Sequence, residues 1–161
     1  MPDVPTLDAT SLDVPAGFRL FTTGGPYFRA LGPVYLRDDA QPQVLALQVA
    51  ESHLNIQGRA HGGMLTTLAD GALGVVLALR RGIRGGQVTV SLTADFLSSA
   101  EVGDWLEAHV TVNRIGKRLA YVSCDLRVGD RHVLRSSAVF AFHDRPLPAG
   151  ALPAELPLAD G

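Results

Sequence analysis

Four consecutive segments between residues 87 and 143 alternate apolar and polar residues, and this pattern constrains the fold more than any other feature of the chain. They read QVTVSLTADFL, WLEAHVTVNRI, LAYVSCDLRV and HVLRSSAVFAF. Successive side chains of a β-strand point to opposite faces, so the alternation predicts four strands, each with one buried face. The short, glycine-containing links NRIGKR and VGDRH are typical of antiparallel hairpins. The second half of the chain is therefore predicted to form an antiparallel sheet covered on one side.

The alternation also assigns individual residues to a face. In the first segment, the apolar face is predicted to hold Val88, Val90, Leu92, Ala94 and Phe96. The same reasoning places Cys124 on the apolar face of the third segment. A thiol in such surroundings is expected to be buried and inert rather than a nucleophile.

A long apolar helix is predicted over residues 61–81, HGGMLTTLADGALGVVLALRR. Two arginines in its last turn and a glycine directly after it suit the helix dipole and a C-cap. The run is short for a bilayer and contains an aspartate, threonines and glycines, which argues against a membrane span. Gly62, Gly63, Gly71 and Gly74 are poor helix formers. Their presence predicts that other groups pack very close to this helix.

Two weaker strands, at 34–37 and 43–49, and a short helix at 26–31 are predicted before the long helix. A lone apolar helix packs best against the concave face of a curved sheet. The predicted class is therefore α+β, with a curved antiparallel sheet wrapped around one long central helix. A single layer of sheet leaves its outer face and its edges uncovered, which predicts association into dimers.

Length and composition limit the classes of function. The 161 residues suit one domain, predicted at 26–145 between an N-terminal tail (1–25) and a flexible C-terminal tail (146–161). A net charge of −2 gives no indication of a nucleic-acid-binding surface. One cysteine and an acidic N-terminus without signal-peptide features predict a cytoplasmic protein. No cysteine or histidine spacing indicates a metal site.

Asp70 is the one carboxylate in the apolar helix. A buried, unpaired carboxylate is costly, so Asp70 either faces water, is held by a neighbouring hydroxyl, or serves chemistry. The backbone N–H groups at the helix start, at Gly62 and Gly63, carry partial positive charge and could bind a developing oxyanion. Eight residues of helix rise about 12 Å, so one chain does not easily bring Asp70 to Gly62. A second subunit is the natural source of the helix start that would face Asp70.

These residues resemble the hotdog-fold acyl-CoA thioesterases, specifically the phenylacetate-degradation-type branch of the 4-hydroxybenzoyl-CoA thioesterase superfamily. The motif N-x-x-G-x-x-H-G-G followed by a helix aspartate is matched by Asn55, Gly58, His61, Gly62, Gly63 and Asp70. The stretch DFLSSAEVGDWLEAHVTVNRIGKRLAYV is similar to the strand and hairpin signature of the family, with Ser99 where the family usually has proline. The similarity covers roughly residues 26–143.

The resemblance implies hydrolysis of an acyl-CoA thioester to free acid and CoA, without a cofactor. It implies a dimer with composite active sites, often paired into a tetramer. Asp70 of one subunit would be the base or nucleophile and would face the His61–Gly62 turn of the other. The Gly62 N–H would be the oxyanion donor.

The other implied site residues each have an ordinary structural alternative. Asn55 would orient the water, the carbonyl or the loop, or it is a turn asparagine. His61 would shape the turn or hydrogen-bond the thioester. Thr89 would help to hold the water, or it is one more strand threonine. CoA contacts are implied for Gly63, Arg59, Arg114, Lys117 and Arg118. Each of the four cationic residues could equally be a solvated surface residue.

Two other functions compete with hydrolysis on the same fold. The first is a non-catalytic acyl-CoA-binding module, which usually carries a DNA-binding helical extension; the segment before Pro26 is short and acidic for that role. The second is a hotdog hydratase or dehydratase, which pairs a catalytic histidine with a carboxylate in different motifs. The helix here lacks that histidine.

Overall fold

The computed structural model of the chain describes residues 13–40, 43–82, 86–146 and 148–149. The elements in chain order are β1 (Arg19–Leu20), α1 (Pro26–Arg29), β2 (Tyr35–Arg37), β3 (Val44–Gln48), a 3₁₀ helix (Glu51–His53), α2 (Gly62–Arg80), β4 (Gly86–Phe96), β5 (Trp105–Ile115), β6 (Leu119–Val128) and β7 (Arg131–His143). The strands form one seven-stranded sheet in the order β1-β2-β3-β5-β6-β7-β4. Every pair of neighbouring strands is antiparallel. The predicted α+β hotdog architecture is confirmed.

The core lies between α2 and the sheet. Leu68, Leu73 and Leu77 of α2 are fully buried, as are Leu106 of β5 and Leu126 of β6. Each such leucine contributes about 1.5–3 kcal/mol by leaving water. The length and hydropathy of α2 would also allow it to cross a membrane, but 61% of its most apolar stretch is buried inside the fold. Its apolar character is therefore explained by its place as the core helix.

A β-bulge in β4 overturns the predicted face assignment for Val88 and Val90, while Leu92, Ala94 and Phe96 share a face as predicted. Thr89 lies opposite Phe140 of β7 and Ser91 lies opposite Val139, so Val90 is an extra residue in the pairing. One extra residue shifts the alternation by one position. The residues that point to the helix side are therefore the odd-numbered ones before the bulge and the even-numbered ones after it. The helix side of β4 is consequently formed by Gln87, Thr89, Leu92, Ala94 and Phe96.

The valines at the bulge are displaced from the core. Val88 is 52% exposed and Val90 is 60% exposed, although both were predicted on the apolar face. The faces predicted for the other three strands are confirmed, because their apolar residues are buried or packed against the core. The bulge therefore replaces two valines with Gln87 and Thr89 on the side that meets α2.

Described residues ahead of position 26, where the sequence analysis placed the start of the domain, also pack against the sheet. Arg19–Leu20 pair with β2, and Phe21 is buried in the core. The Phe18 ring meets Trp105 edge to face, with 5.2 Å between ring centroids. A two-residue strand is too short to show alternation, so pairing and aromatic packing reveal it only in three dimensions. Residues 1–12 and most of the predicted tail at 146–161 lie outside the described residues.

Candidate active site

Asp70 and Thr89 meet on the solvent side of α2. The Thr89 Oγ1 hydroxyl donates a 2.9 Å hydrogen bond to Asp70 Oδ1. Asp70 lies two turns into α2, and Thr89 reaches it because the bulge turns that part of β4 toward the helix. Among the described residues, the second carboxylate oxygen, Oδ2, has no hydrogen-bond donor. One oxygen of the carboxylate is thus fixed and the other is available to a ligand.

A cavity of about 360 Å³ opens beside this pair. It is lined by Tyr27, Phe28, Thr66, Thr67, Asp70, Gly71, Thr89 and Leu92. The hydroxyls of Thr66 and Thr67 donate to the carbonyls of Gly62 and Gly63, each at 2.9 Å. Those two hydroxyls are therefore satisfied within the helix. The other polar side chains in the lining are those of Tyr27, Asp70 and Thr89.

The start of α2 is capped by His61. Its Nδ1 accepts a 2.8 Å hydrogen bond from the Gly63 N–H. Accepting at Nδ1 assigns the ring proton of a neutral imidazole to Nε2. The Gly62 N–H, by contrast, has no acceptor among the described residues, as expected for the first N–H groups of a helix. The structure therefore uses the Gly63 N–H for the cap and leaves the Gly62 N–H open; a contact of Gly63 with substrate stays a prediction.

Asn55 organises the turn before the helix. Its Oδ1 accepts hydrogen bonds from the backbone N–H groups of Gln57 and Arg59, at 2.9 and 3.2 Å. Its backbone N–H donates to the Arg59 carbonyl at 2.7 Å, and Gly58 completes the turn with φ at +73°. Within one chain Asn55 is thus a turn asparagine. A role for it in binding the thioester stays a prediction.

Three of the four helix glycines, Gly62, Gly63 and Gly71, have the very close neighbours that the sequence predicted, whereas Gly74 makes an ordinary contact. A β-carbon on Gly71 would overlap the Phe28 ring, and one on Gly62 would lie 3.1 Å from Cε1 of Phe96. At Gly63 the added atom would lie 3.0 Å from the His61 ring, and at Gly74 it would lie 3.8 Å from Gln87 and Phe140. The glycines therefore let aromatic and polar side chains lie against the helix backbone around the Asp70 site.

The cations predicted to contact CoA lie in separate places. Arg59 is ion-paired with Glu101 near the start of α2. Lys117 and Arg118 line a cleft of about 1030 Å³ together with Arg81, which follows the last residue of α2. The 19 residues of α2 span about 28 Å, so one chain does not gather these cations around one ligand. Arg114 is exposed on β5.

Cys124 does not belong to the site. It is buried, and burial together with the charge of Asp125 raises the pKa of its thiol to about 12. This confirms that the thiol is buried, as expected from the alternation. Within the described part of the chain, no three histidine, cysteine, aspartate or glutamate side chains are grouped so as to hold a metal ion.

Several residues around the site were not singled out from the sequence. Tyr27 and Phe28 line the cavity from α1, and Leu92 lines it from β4. Gln87 Nε2 donates to the Gly74 carbonyl at 2.6 Å and so ties β4 to α2. The one available signal was the helix glycines, which indicate that close neighbours exist but not which residues they are.

Comparison with known proteins identifies the family. The thioesterase superfamily profile matches residues 57–134. Putative esterase PA0474 of Pseudomonas aeruginosa is 45% identical over 130 residues, which cover 80% of this chain and 97% of that protein. Acyl-coenzyme A thioesterase 13 of Homo sapiens is 32% identical over 110 residues, covering 67% of this chain and 77% of that protein.

The fold comparison agrees with the sequence comparison. A mutant of the phenylacetic acid degradation protein PaaI from Thermus thermophilus superposes with a TM-score of 0.64 at 28% identity. The match covers 74% of this chain and all of that one. The sequence relatives, the shared fold and the matched motif lead to one assignment. The chain belongs to the thioesterase superfamily and is a hotdog-fold thioesterase.

Proposed function

We propose that this enzyme hydrolyses acyl-CoA thioesters at a site shared by two chains, with Asp70 of one chain acting opposite the Gly62 N–H of the other. The observation that carries the proposal is the carboxylate of Asp70, held at one oxygen by Thr89 and open at the other beside a cavity. The proposal that the substrates are CoA thioesters is supported by the relatives, since the human protein matched above is an acyl-coenzyme A thioesterase.

The chemistry needs a base and an oxyanion donor. Asp70 takes a proton from water while the water oxygen bonds to the thioester carbon. The carbonyl electron pair moves onto oxygen, which accepts a hydrogen bond from Gly62 N–H. When the carbonyl re-forms, the C–S bond breaks and the proton held by Asp70 passes to the departing thiolate. In the nucleophilic alternative, Asp70 itself attacks and water hydrolyses the resulting anhydride; both routes require this carboxylate.

Two features support a shared site. Gly62 and Asp70 stand on the same helix, eight residues apart, so the helix rise separates them by about 12 Å. β4 is the last strand in the sheet order, and one edge of its 11 residues has no neighbouring strand among the described residues. A long edge with exposed valines is suited to pairing with a second copy. Such a dimer would bring the helix start of one chain to Asp70 of the other.

Because one chain holds these cations at opposite ends of α2, the CoA moiety is proposed to lie between Arg59 of one chain and Lys117 and Arg118 of the other. Lys117 and Arg118 already line one open cleft. To bind a phosphate of CoA, Arg59 would have to break its exposed ion pair with Glu101. Exposed ion pairs are worth about 0–1 kcal/mol, so this exchange is energetically accessible.

The test is release of CoA thiol from a panel of acyl-CoAs, followed with a thiol reagent. Cys124 is the one cysteine of the chain and is buried with a raised pKa, so the protein adds little background. Asp70→Asn should lower kcat by about 10²–10⁴-fold with the fold intact by circular dichroism. Asp95→Asn, an exposed aspartate on β4, is the matched control and should retain turnover. Near wild-type turnover in Asp70→Asn would refute the assignment.

A further inference from the structure

His53 is a buried histidine that the proposed reaction does not use. It is 7% exposed and is the last residue of the 3₁₀ helix Glu51–His53. Its Nδ1 accepts a 3.0 Å hydrogen bond from the Ala50 N–H, and its Nε2 lies 2.7 Å from the Leu31 carbonyl oxygen. Accepting at Nδ1 assigns the ring proton to Nε2, which therefore donates to Leu31. Both nitrogens of a neutral imidazole are thus engaged away from water.

The two ring hydrogen bonds fix the backbone of His53. Its own N–H donates to the Ala50 carbonyl at 3.0 Å, so Ala50 and His53 are joined by two hydrogen bonds. Leu31 packs against the core two residues after the end of α1, and its carbonyl holds the ring at Nε2. The position of His53 is therefore set by the 3₁₀ turn at one ring nitrogen and by the segment after α1 at the other.

The backbone of His53 in turn holds the start of α2. The His53 carbonyl accepts a 2.8 Å hydrogen bond from the His61 N–H. His61 is thereby attached to His53 through its own N–H and to Gly63 through its ring. The peptide group that carries the Gly62 N–H lies between these two attachments. A shift of His53 would consequently change the direction of the Gly62 N–H.

We propose that His53 is a positioning residue for the reaction, and that its ring sets the orientation in which the Gly62 N–H meets the developing oxyanion. This inference rests on the proposed function, since it assumes that Gly62 is the oxyanion donor. A donor is effective when it lies about 2.7–3.1 Å from the place that the oxyanion will occupy, and a misplacement of about 1 Å can cost about 100-fold in rate. His53 acts through the backbone and needs no contact with the substrate.

The hydrogen bond to Leu31 offers a second route from the ring to the chemistry. Phe28 of α1 lies against the backbone of α2 beside Asp70, so a shift of the segment around Leu31 would reach that carboxylate instead. In a shared site the two routes lead to different active sites, because the helix start of a chain serves the Asp70 of its partner. The route through His61 is favoured, because it is a direct backbone hydrogen bond to the residue before Gly62.

The first part of the experiment is the steady-state kinetics of full-length variants with one acyl-CoA. His53→Phe keeps a ring of similar size and removes both ring hydrogen bonds. It should lower kcat by about tenfold or more with little change in KM, because the oxyanion donor is displaced but not removed. His53→Asn and His53→Gln each place an amide where one ring nitrogen lies, and should give kcat values between those of His53→Phe and wild type.

The matched control carries the same substitution elsewhere. His109→Phe lies on the face of β5 that points away from α2, and should retain the wild-type kcat. Circular dichroism checks that every variant is folded. A folded His53→Phe enzyme with the kcat of wild type would overturn the proposal.

Subunit mixing supplies a readout that a general loss of stability would not give. Mixed with Asp70→Asn, which lacks the base, His53→Phe should rise to roughly a quarter of wild-type activity, because half of the dimers then contain one intact site. Mixed with Gly62→Pro, which lacks the N–H donor, it should show no gain over the two enzymes assayed separately. His53→Gln takes the place of His53→Phe in both mixtures if the phenylalanine variant is unfolded.

The mixture of Asp70→Asn with Gly62→Pro separates the possible failures. If wild type releases no CoA thiol, or if this pair folds and exchanges subunits but stays inactive, the proposed function fails and this inference falls with it. If this pair recovers activity while the His53 variant gains with Gly62→Pro, or gains nothing with Asp70→Asn, His53 does not position the oxyanion donor and the proposed function stands.

Discussion

The Thr89 hydroxyl donates to Asp70 Oδ1 at 2.9 Å across the gap between β4 and α2. The hydrogen bond holds the carboxylate in one orientation and leaves its second oxygen toward the cavity. The contact depends on the β-bulge at Val90, since without it the alternation would turn Thr89 away from the helix. A local irregularity in the strand therefore positions the candidate catalytic group.

Thr89→Val should lower kcat by about 10–100-fold with a smaller effect on KM. A hydrogen bond to a charged group is worth about 1.5–3 kcal/mol, and valine keeps the shape of threonine without the donor. Thr89→Ser keeps the hydroxyl and should recover most of the activity. Steady-state kinetics with one acyl-CoA measure both variants. Equal kcat values for the valine and serine enzymes would contradict a role for the hydroxyl.

Mixing two inactive variants should restore activity if the site is shared between chains. Asp70→Asn removes the base, and Gly62→Pro removes the N–H donor. Gly62 is the first residue of α2 and His61 before it is extended, so proline suits this position. Random exchange makes half of the dimers mixed, each with one intact site. Activity should recover to roughly a quarter of wild type.

Gly62→Ala is the matched control for this experiment. It adds the same β-carbon near Phe96 but keeps the N–H. The alanine enzyme should be far more active than the proline enzyme. If the proline and asparagine variants fold and exchange subunits but the mixture stays inactive, each site is built within one chain.

Introducing charge on the β4 edge should weaken the proposed dimer. The mass in solution should be at least twice 17.1 kDa for the wild type. Val88→Lys combined with Val90→Lys places two cations beside the open edge and should shift the mass toward the monomer. Leu20→Lys is the control, because Leu20 is 51% exposed on β1 at the opposite edge of the sheet. An active wild-type monomer in sedimentation would rule out the shared site.

His61→Ala should destabilise the protein by about 0.5–2 kcal/mol because the helix loses its N-cap acceptor. Asparagine is among the best N-cap residues, so His61→Asn should recover most of this stability. Urea unfolding measures both variants. If the alanine and asparagine variants are equally destabilised, the cap is not what His61 contributes.

The ion cluster around Asp125 should stabilise the fold at neutral pH and not in acid. Burial raises the pKa of the Asp125 carboxyl, but the hydrogen bond and charge of Arg135 and the charge of Arg127 outweigh this and lower it overall. A lowered folded-state pKa contributes stability at pH values above the unfolded pKa of about 3.9, and this stability is lost as pH falls through the folded pKa.

Asp125→Asn should therefore lower the melting temperature at about pH 7, and the difference from wild type should shrink below about pH 4. The effect corresponds to up to about 1 kcal/mol, because Arg135 is largely exposed. Asp130→Asn, in the exposed turn between β6 and β7, is the control and should have no such pH dependence. A difference that persists unchanged in acid would contradict an electrostatic origin.

Most of the elements and their order could be predicted from the sequence. The long apolar run of α2 and the two-residue period of β5, β6 and β7 follow from which side chains must leave water, and these patterns are visible in the sequence. The N-x-x-G-x-x-H-G-G motif also has a local meaning, because Asn55, Gly58 and His61 form the turn and the helix cap through neighbours close in the chain.

Contacts between residues distant in the chain could not be predicted from the sequence. The bulge that brings Thr89 to Asp70 depends on the pairing of β4 with β7, which are distant in sequence. The contact of Phe28 with Gly71 depends on α1 packing against α2, and the short β1 is fixed by its neighbour β2. Glycines in the helix indicated that other groups lie close to it. The periodicity of a sequence does not show which residues of distant segments are in contact. Those contacts, rather than the pattern of each segment, shape the candidate site.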